Sequence, residues 1–416
     1  MPPRVPRMKA LSARPNRPFH GATPSAGTPN LPRALRTPIL ITMLQGADRF
    51  ETLPEDARAS IIDAAADAIT RGGRVVFPTD TVYGLAASSA STSAVAALRE
   101  HSGRPDGALT WHAPSVEAVA RAFDLPTPVH RRLISKLLPA RTRFLLEQRP
   151  ETIDAWLRAF GNDADAIRAA VVENNIVSIR VPAHPVTRAI LERVSAPVVA
   201  IGVGHAAPNE ADGFDVIIDD GPSPDRDPST AVELALNGAF RVRSVGAVSE
   251  ADVLAALTRT VVFVCTGNTC RSPMAEAIAR DLIAKRAEDG LSTRALSAGV
   301  SASRGSPASA EAVDAMAALG LDLHNHRSTP LSRELLESAD AVFTMTEDHA
   351  ETARRLDRRS AHKVERLDPD TDIDDPIGGP VELYRDVADR LAALIARRLG
   401  ELDHDPRNGP YGGAPA

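Results

Sequence analysis

Hydrophobic positions change period repeatedly along this chain. Between Glu55 and Arg71 they fall at Ile61, Ile62, Ala65, Ala68 and Ile69, one face of a helix that Gly72-Gly73 should end. The run Arg74-Val75-Val76-Phe77 is continuous and stops at Pro78, as a short buried strand does. It feeds Thr79-Asp80-Thr81-Val82-Tyr83-Gly84-Leu85, a turn that gathers hydroxyls and a carboxylate in the manner of a small-molecule site. Further on, Val261-Val262-Phe263-Val264 reads as another buried strand, and a tight loop from Cys265 to Cys270 follows it, with Gly267 expected to make the turn. Ser272 and Pro273 then read as N-cap and first residue of a helix.

After that helix the pattern alternates. Strands are predicted around Arg294–Ser297, Ala341–Met345 and Lys363–Leu367, and helices over Ser309–Leu319, Ser332–Ser338 and Glu347–Leu356. A last amphipathic helix should run from Val381 to Leu399 with Leu383, Val387, Leu391, Leu394 and Ile395 inward. Such alternation implies a mostly parallel sheet with helices on both faces, and a ligand at the carboxyl ends of its strands.

A chain of 416 residues is too long for one ordinary core, so two α/β domains are expected, at 51–257 and 258–403. Residues 1–50 read as a disordered Pro/Arg-rich basic tail, since 1–42 hold no Asp or Glu but carry Arg4, Arg7, Lys9, Arg14, Arg17, Arg33 and Arg36. A targeting segment, or upstream sequence ahead of a start at Met43, are the competing readings of that stretch. Residues 404–416 read as a flexible tail. The net charge of −6 argues for no obligate polyanion partner. Cysteine occurs only at 265 and 270, which excludes a disulfide framework and fits a reducing cytoplasm. No apolar run approaches the ~20 residues of a membrane span.

The candidate chemistry lies in Cys265-Thr266-Gly267-Asn268-Thr269-Cys270-Arg271-Ser272-Pro273. Strand, tight loop and helix N-terminus in that order make an anion cradle, with backbone N–H groups turned inward. A cysteine at its first position should be thiolate and nucleophilic, and the arginine at its end can grip two oxygens of a phosphoryl group. Ser272 would donate to the sulfur, Asn268 would brace the loop, and Thr266, Gly267, Thr269 and Cys270 would complete the phosphate cradle. A leaving-group acid is expected from Asp374-Asp375-Pro376, with Asp375 the choice and Asp374 its competitor. No metal is expected. Cys270 either captures an oxidised Cys265 as a disulfide or packs beneath the loop as a small apolar residue.

The cysteine motif, with Asp375-Pro376-Ile377-Gly378-Gly379, resembles the low-molecular-weight protein-tyrosine-phosphatase family along nearly all of 260–400, and most of all its protein-arginine-phosphatase branch. The resemblance implies hydrolysis of a phosphorylated protein through a phosphocysteine at Cys265, without a cofactor. In that branch the threonine at the Thr269 position favours phosphoarginine. Scarce aromatics lean the same way, since a phosphotyrosine ring needs faces to stack on and this domain has only Phe263, Phe343 and Tyr384. Arsenate reductases of this fold need further cysteines, which are lacking here.

The segment Pro78-Thr79-Asp80-Thr81-Val82-Tyr83-Gly84-Leu85 resembles the signature of the YrdC-like family, the threonylcarbamoyl-AMP synthases of tRNA modification. Gly103-Arg104-Pro105, Val177–Pro185 and Pro228–Val232 extend the likeness. It implies a twisted open α/β sheet with ATP, Mg, threonine or RNA as ligands, and Thr81, Tyr83, Arg104, Arg180 and Ser229 as binding residues. The sequence departs from the family at Ser102-Gly103-Arg104, where a Lys-x-Arg is usual, at Gly202-Val203-Gly204 in place of Ser-x-Asn, and at Leu138-Pro139-Ala140-Arg141 in place of Trp-Pro-Gly-Pro. A lost cation and lost polar ligands predict weak or absent synthesis. The alternatives are a bifunctional synthase and phosphatase, and a scaffold without catalysis.

Overall fold

A computed structural model describes residues 42–43, 50–207, 214–286 and 290–404. The remainder of both expected tails lies outside the described residues. The N-terminal tail was expected to reach residue 50, yet Thr42–Met43 pairs in parallel with Val216–Asp219, and Phe50 is buried with its N–H on Asp220. An apolar ring with a core to enter overrides the basic composition around it.

The first sheet has eleven strands among the described residues and is mixed. Its order is Thr42–Met43, Val216–Asp219, Val75–Phe77, Tyr83–Ser88, Val198–Gly204, Thr110–His112, Ile176–Arg180, Thr142–Glu147, Thr230–Leu234 and Phe240–Ser244, with Val172–Glu173 paired to Ile176–Arg180. One face, with Val76, Leu85, Trp111, Phe144 and Ile179, carries the larger core. The other face, with Val75, Phe77, Ala86, Val198 and Ala200, is covered by helices Glu55–Thr70 and Pro185–Arg193. The five apolar positions expected along the first of these helices are all buried.

The second sheet is four parallel strands in the order Ser292–Gly299, Thr258–Cys265, Ala341–Thr344 and Val364–Arg366. Alternation along the central strand splits its side chains between two cores. Val261, Phe263 and Cys265 meet helices Arg271–Ala284, Ala310–Ala318 and Val381–His404, and Val262 and Val264 meet Arg333–Ser338 and Glu347–Leu356. On the last helix Leu383 is exposed, contrary to expectation. The buried line runs through Tyr384, Val387, Ala388, Leu391, Ile395 and Leu399, which places Leu383 on the flank beside the turn at Gly379.

Helix Glu250–Ala256 passes into strand Thr258–Cys265 through Leu257 alone. Across this seam Arg132 donates twice to Asp340 at 2.7 and 2.9 Å, and also to the carbonyls of Ala256 and Thr258. Lys136 adds a 2.6 Å contact to the same carboxylate. Asp340 also accepts from the N–H of Thr260, so one buried side chain ties a helix of the first half to two strands of the second. Burial alone would raise the Asp340 pKa, but the hydrogen bonds and charges of Arg132 and Lys136 hold it down to about 2.

Candidate active site

Strand Thr258–Cys265 delivers Cys265 to the carboxyl edge of its sheet, with 3% of its surface exposed, so only a narrow opening reaches the sulfur. The loop after it is pinned from outside. Cys265 and Thr266 carbonyls accept from the N–H groups of Val300 and Ser301, and the Thr269 carbonyl accepts from that of Ser309. Gly299 lets the neighbouring strand come this close, since a Cβ there would stand 2.5 Å from the Thr266 carbonyl oxygen and 2.8 Å from the Asn268 nitrogen. Among the described residues no protein acceptor takes the backbone N–H groups of 266–271, which leaves them for an anion.

Two local expectations need correction. The left-handed residue of the loop is Asn268, at φ 55°, and not Gly267. Asparagine tolerates that region because its amide finds local partners, and here it finds several. The helix begins at Arg271, so Ser272 lies inside its first turn and is not its N-cap. Its hydroxyl goes to the sulfur of Cys265 at 3.0 Å.

Arg271 is 4% exposed and its guanidinium meets the late acidic loop. It donates to the Ile373 carbonyl at 2.9 Å and to Asp375 Oδ2. The structure therefore brings Cys265, Arg271, Ser272 and Asp375 together; Asp374 and Asp375 are both exposed, and it is Asp375 that pairs with Arg271. The Cys270 thiol lies 3.5 Å from Ser309 Oγ and 3.7 Å from the Tyr384 hydroxyl. Burial, reinforced by that thiol, pushes the Tyr384 pKa up to about 12.

Several neighbours were invisible in the sequence. His326 Nε2 donates to the Asn268 carbonyl at 2.8 Å. His349 Nε2 lies 2.9 Å from Thr266 Oγ1, and its Nδ1 lies 2.7 Å from Thr346 Oγ1. Burial, then the nearby Arg271, lowers the His349 pKa, so the imidazole stays neutral at pH 7. No local pattern marks these residues; only the crossing of separate loops assembles them.

A second polar cluster lies on the first sheet. Thr81 Oγ1 is 3.4 Å from Ser229 Oγ, and Arg180 donates to Thr79 at 3.2 Å and to Asp80 at 3.0 Å. Arg180 Nε is buried without a hydrogen-bond partner, which a bound anion would satisfy. Arg104 is exposed at the end of its helix, and Ser102 caps that helix by donating to the Arg99 carbonyl. Arg143, which sequence reasoning missed, has its pKa lowered by burial and by the charges of Arg104 and Arg180. These cations share one site. Tyr83 is not part of it: the ring is fully buried and its hydroxyl donates to the Gly221 carbonyl at 2.6 Å. Among the described residues no three His, Cys, Asp or Glu side chains are gathered to hold a metal ion. No described helix is long and apolar enough to cross a membrane.

The parallel sheet, with its cysteine loop at the strand ends and an arginine opening the following helix, defines a low-molecular-weight phosphatase. Residues 260–408 match the family model of the low molecular weight phosphotyrosine protein phosphatases, and residues 67–244 match the Sua5/YciO/YrdC model, described as telomere recombination. The chain belongs to both families, a phosphatase fused to a YrdC-like partner. It is 41% identical over 152 residues to the protein-arginine-phosphatase of Bacillus subtilis, covering 35% of this chain and 99% of that protein. The protein-arginine-phosphatase of Geobacillus stearothermophilus is 39% identical over 147 residues, covering 34% of this chain and 95% of that protein. A putative threonylcarbamoyl-AMP synthase of Mycobacterium tuberculosis is 32% identical over 203 residues, covering 45% of this chain and 85% of that protein.

Proposed function

We propose that residues 258–403 hydrolyse phosphorylated proteins through Cys265, with phosphoarginine preferred over phosphotyrosine. The observation that carries this is the convergence of the Cys265 sulfur, the Ser272 hydroxyl and the Arg271–Asp375 pair around a loop of unused N–H groups. The thiolate of Cys265 attacks phosphorus in line. Arg271 and the loop N–H groups hold the oxygens, which gain charge in the transition state. Asp375 gives its proton to the leaving nitrogen or oxygen as the bond to phosphorus breaks. It then takes a proton from the water that attacks the phosphocysteine, and inorganic phosphate leaves. Ser272 donates to the departing sulfur.

The preference rests on the walls and on the relatives. Phe263 and Phe343 are buried in the sheet, Tyr384 is buried against Cys270, and Ile377 stands exposed after the Asp-Pro turn. None of the three rings offers an open face to a substrate ring. Two of the relatives are protein-arginine-phosphatases. The test is hydrolysis of phosphoarginine and phosphotyrosine peptides side by side. Phosphoarginine should turn over faster, Cys265→Ser and Arg271→Ala should each lose at least about a hundredfold, and Thr269→Ile should move preference toward phosphotyrosine. Activity that survives Cys265→Ser would end this mechanism.

For residues 51–257 we propose a site for an anionic ligand of the ATP class on Arg104, Arg143 and Arg180, with weak or absent threonylcarbamoyl-AMP synthesis. The buried, unpartnered Arg180 Nε supports the binding, and Ser102, which carries no charge, supports the weak synthesis. Robust product from threonine, bicarbonate and ATP with the full chain would reverse the second part.

A further inference from the structure

The sulfur of Cys265 ends a chain of hydrogen bonds that begins on a carboxylate. The N–H of Thr329 donates to Asn268 Oδ1 at 2.7 Å. The amide NH2 of Asn268 must then face the other way, and it lies 2.9 Å from Ser272 Oγ and 2.9 Å from Ser297 Oγ. Ser297 thus accepts from Asn268 and has its own hydrogen to place. It donates that hydrogen to Glu276 Oε2 at 2.5 Å. Ser272 also accepts from Asn268, so its hydrogen goes to the Cys265 sulfur at 3.0 Å, or to the Ala298 carbonyl at 3.2 Å. The other oxygen of Glu276 is 3.2 Å from Arg280. Asn268 and Ser272 are fully buried, so water cannot replace a lost partner.

We infer that Glu276 is a positioning residue for Cys265, an inference that rests on reading Cys265 as the nucleophile. Its carboxylate takes the last hydrogen of the chain. That keeps Ser297 an acceptor toward Asn268, holds the Asn268 amide in one orientation, and leaves Ser272 to aim its hydrogen at sulfur. Without an acceptor at 276, nothing holds the Ser297 oxygen toward the Asn268 amide, while the Thr329 N–H still keeps Asn268 Oδ1 in place. The amide NH2 is then held by Ser272 alone, Ser272 is oriented less firmly, and its hydrogen shifts toward the Ala298 carbonyl. The bond lost is the one that favours thiolate over thiol.

Charge alone argues the opposite sign. Removing a negative group near a thiol should favour the thiolate, so the direction of the effect separates a hydrogen-bond role from a purely electrostatic one. The readout is the rate of iodoacetamide labelling at Cys265 in the full chain at pH 6, located by mass spectrometry. It needs no substrate. Glu276→Ala should label about fivefold more slowly, the worth of one ordinary hydrogen bond. Glu276→Gln retains an acceptor and lacks the charge, so it should label at or above the wild-type rate. Ser297→Ala, which removes the same link from its other side, should match Glu276→Ala, and the double variant should lose nothing more. Labelling of Glu276→Ala at or above the wild-type rate would overturn the inference, as would equal slowing in Glu276→Gln. If Glu276→Ala fails to fold, wild-type labelling in Ser297→Ala is the overturning result. Peptide hydrolysis is measured separately. Its absence in a wild type whose Cys265 labels normally would remove the phosphatase reading and leave the hydrogen-bond chain standing.

Discussion

Asp375 and Asp374 are neighbours with different surroundings. Both are exposed on the same loop, but Asp375 meets Arg271 and accepts from the N–H of Ile377. Asp375→Asn should slow turnover of poor leaving groups about a hundredfold, with Asp374→Asn close to wild type. Equal effects in steady-state kinetics would refute the choice of acid. Gly299 is a second residue with a sharp expectation, because its would-be Cβ meets the backbone of the cysteine loop at Thr266 and Asn268. Gly299→Ala should distort the cradle, cost about 1–3 kcal/mol in chemical denaturation, and reduce kcat more than KM. Cys270 contacts Ser309 and Tyr384, the packing alternative of the two expected. Peroxide followed by dithiothreitol separates them: full recovery in Cys270→Ala leaves packing alone, and lost recovery restores the disulfide.

Elements explain why some of this was readable from sequence. The alternation of Val261 to Val264 with a helix behind it locates a strand end, and a strand end in a parallel sheet is where ligands bind. Cys265, Arg271, Ser272 and Asp375 were legible for that reason, with the Asp-Pro turn as a second mark. Arg143 was not, since an arginine on a strand of alternating burial reads as a solvated face. Glu276, Ser297, His349 and the loop that carries His326 and Thr329 are four separate segments, and they meet only through crossings that no local pattern encodes. Tyr83 sat in a recognisable turn, but its hydroxyl was claimed by the backbone at Gly221. Asp340, at the head of strand Ala341–Thr344, carries a pH consequence. Its folded pKa of about 2 lies below the ~3.9 of an unfolded aspartate, so its contribution is complete above pH ~4 and is lost as pH falls toward 2. Asp340→Asn should flatten stability across that window, removing about 2 kcal/mol of its pH dependence. Urea midpoints between pH 2.5 and 7 measure it, and an unchanged slope would mean that Asp340 does not govern acid stability.

At the scale of the whole molecule, the seam matters more than either core. Arg132 and Asp340 are each 4% exposed, so removing Arg132 leaves a buried carboxylate with only Lys136 and the Thr260 N–H to hold it. Arg132→Met should lower the unfolding free energy by about 3 kcal/mol or more and split a single unfolding transition into two. Arg132→Met with Asp340→Leu should recover most of that loss, because paired apolar groups need no counter-charge. A wild type that already unfolds in two steps would show that the seam does not couple the halves.

The single-residue passage at Leu257 has a hydrodynamic consequence. Two domains on a slack tether reorient separately, each with the short correlation time of its own size. Here a helix runs into a strand and a guanidinium locks the joint, so the described residues of both halves should tumble as one body with one slow rotational time. The cation cluster of the first half and the cysteine loop of the second would then keep one fixed bearing, like two tools on a common shaft. Inserting a few glycines beside Leu257 would turn that shaft into a string, and the change would be read first in fluorescence anisotropy decay, before any assay of chemistry.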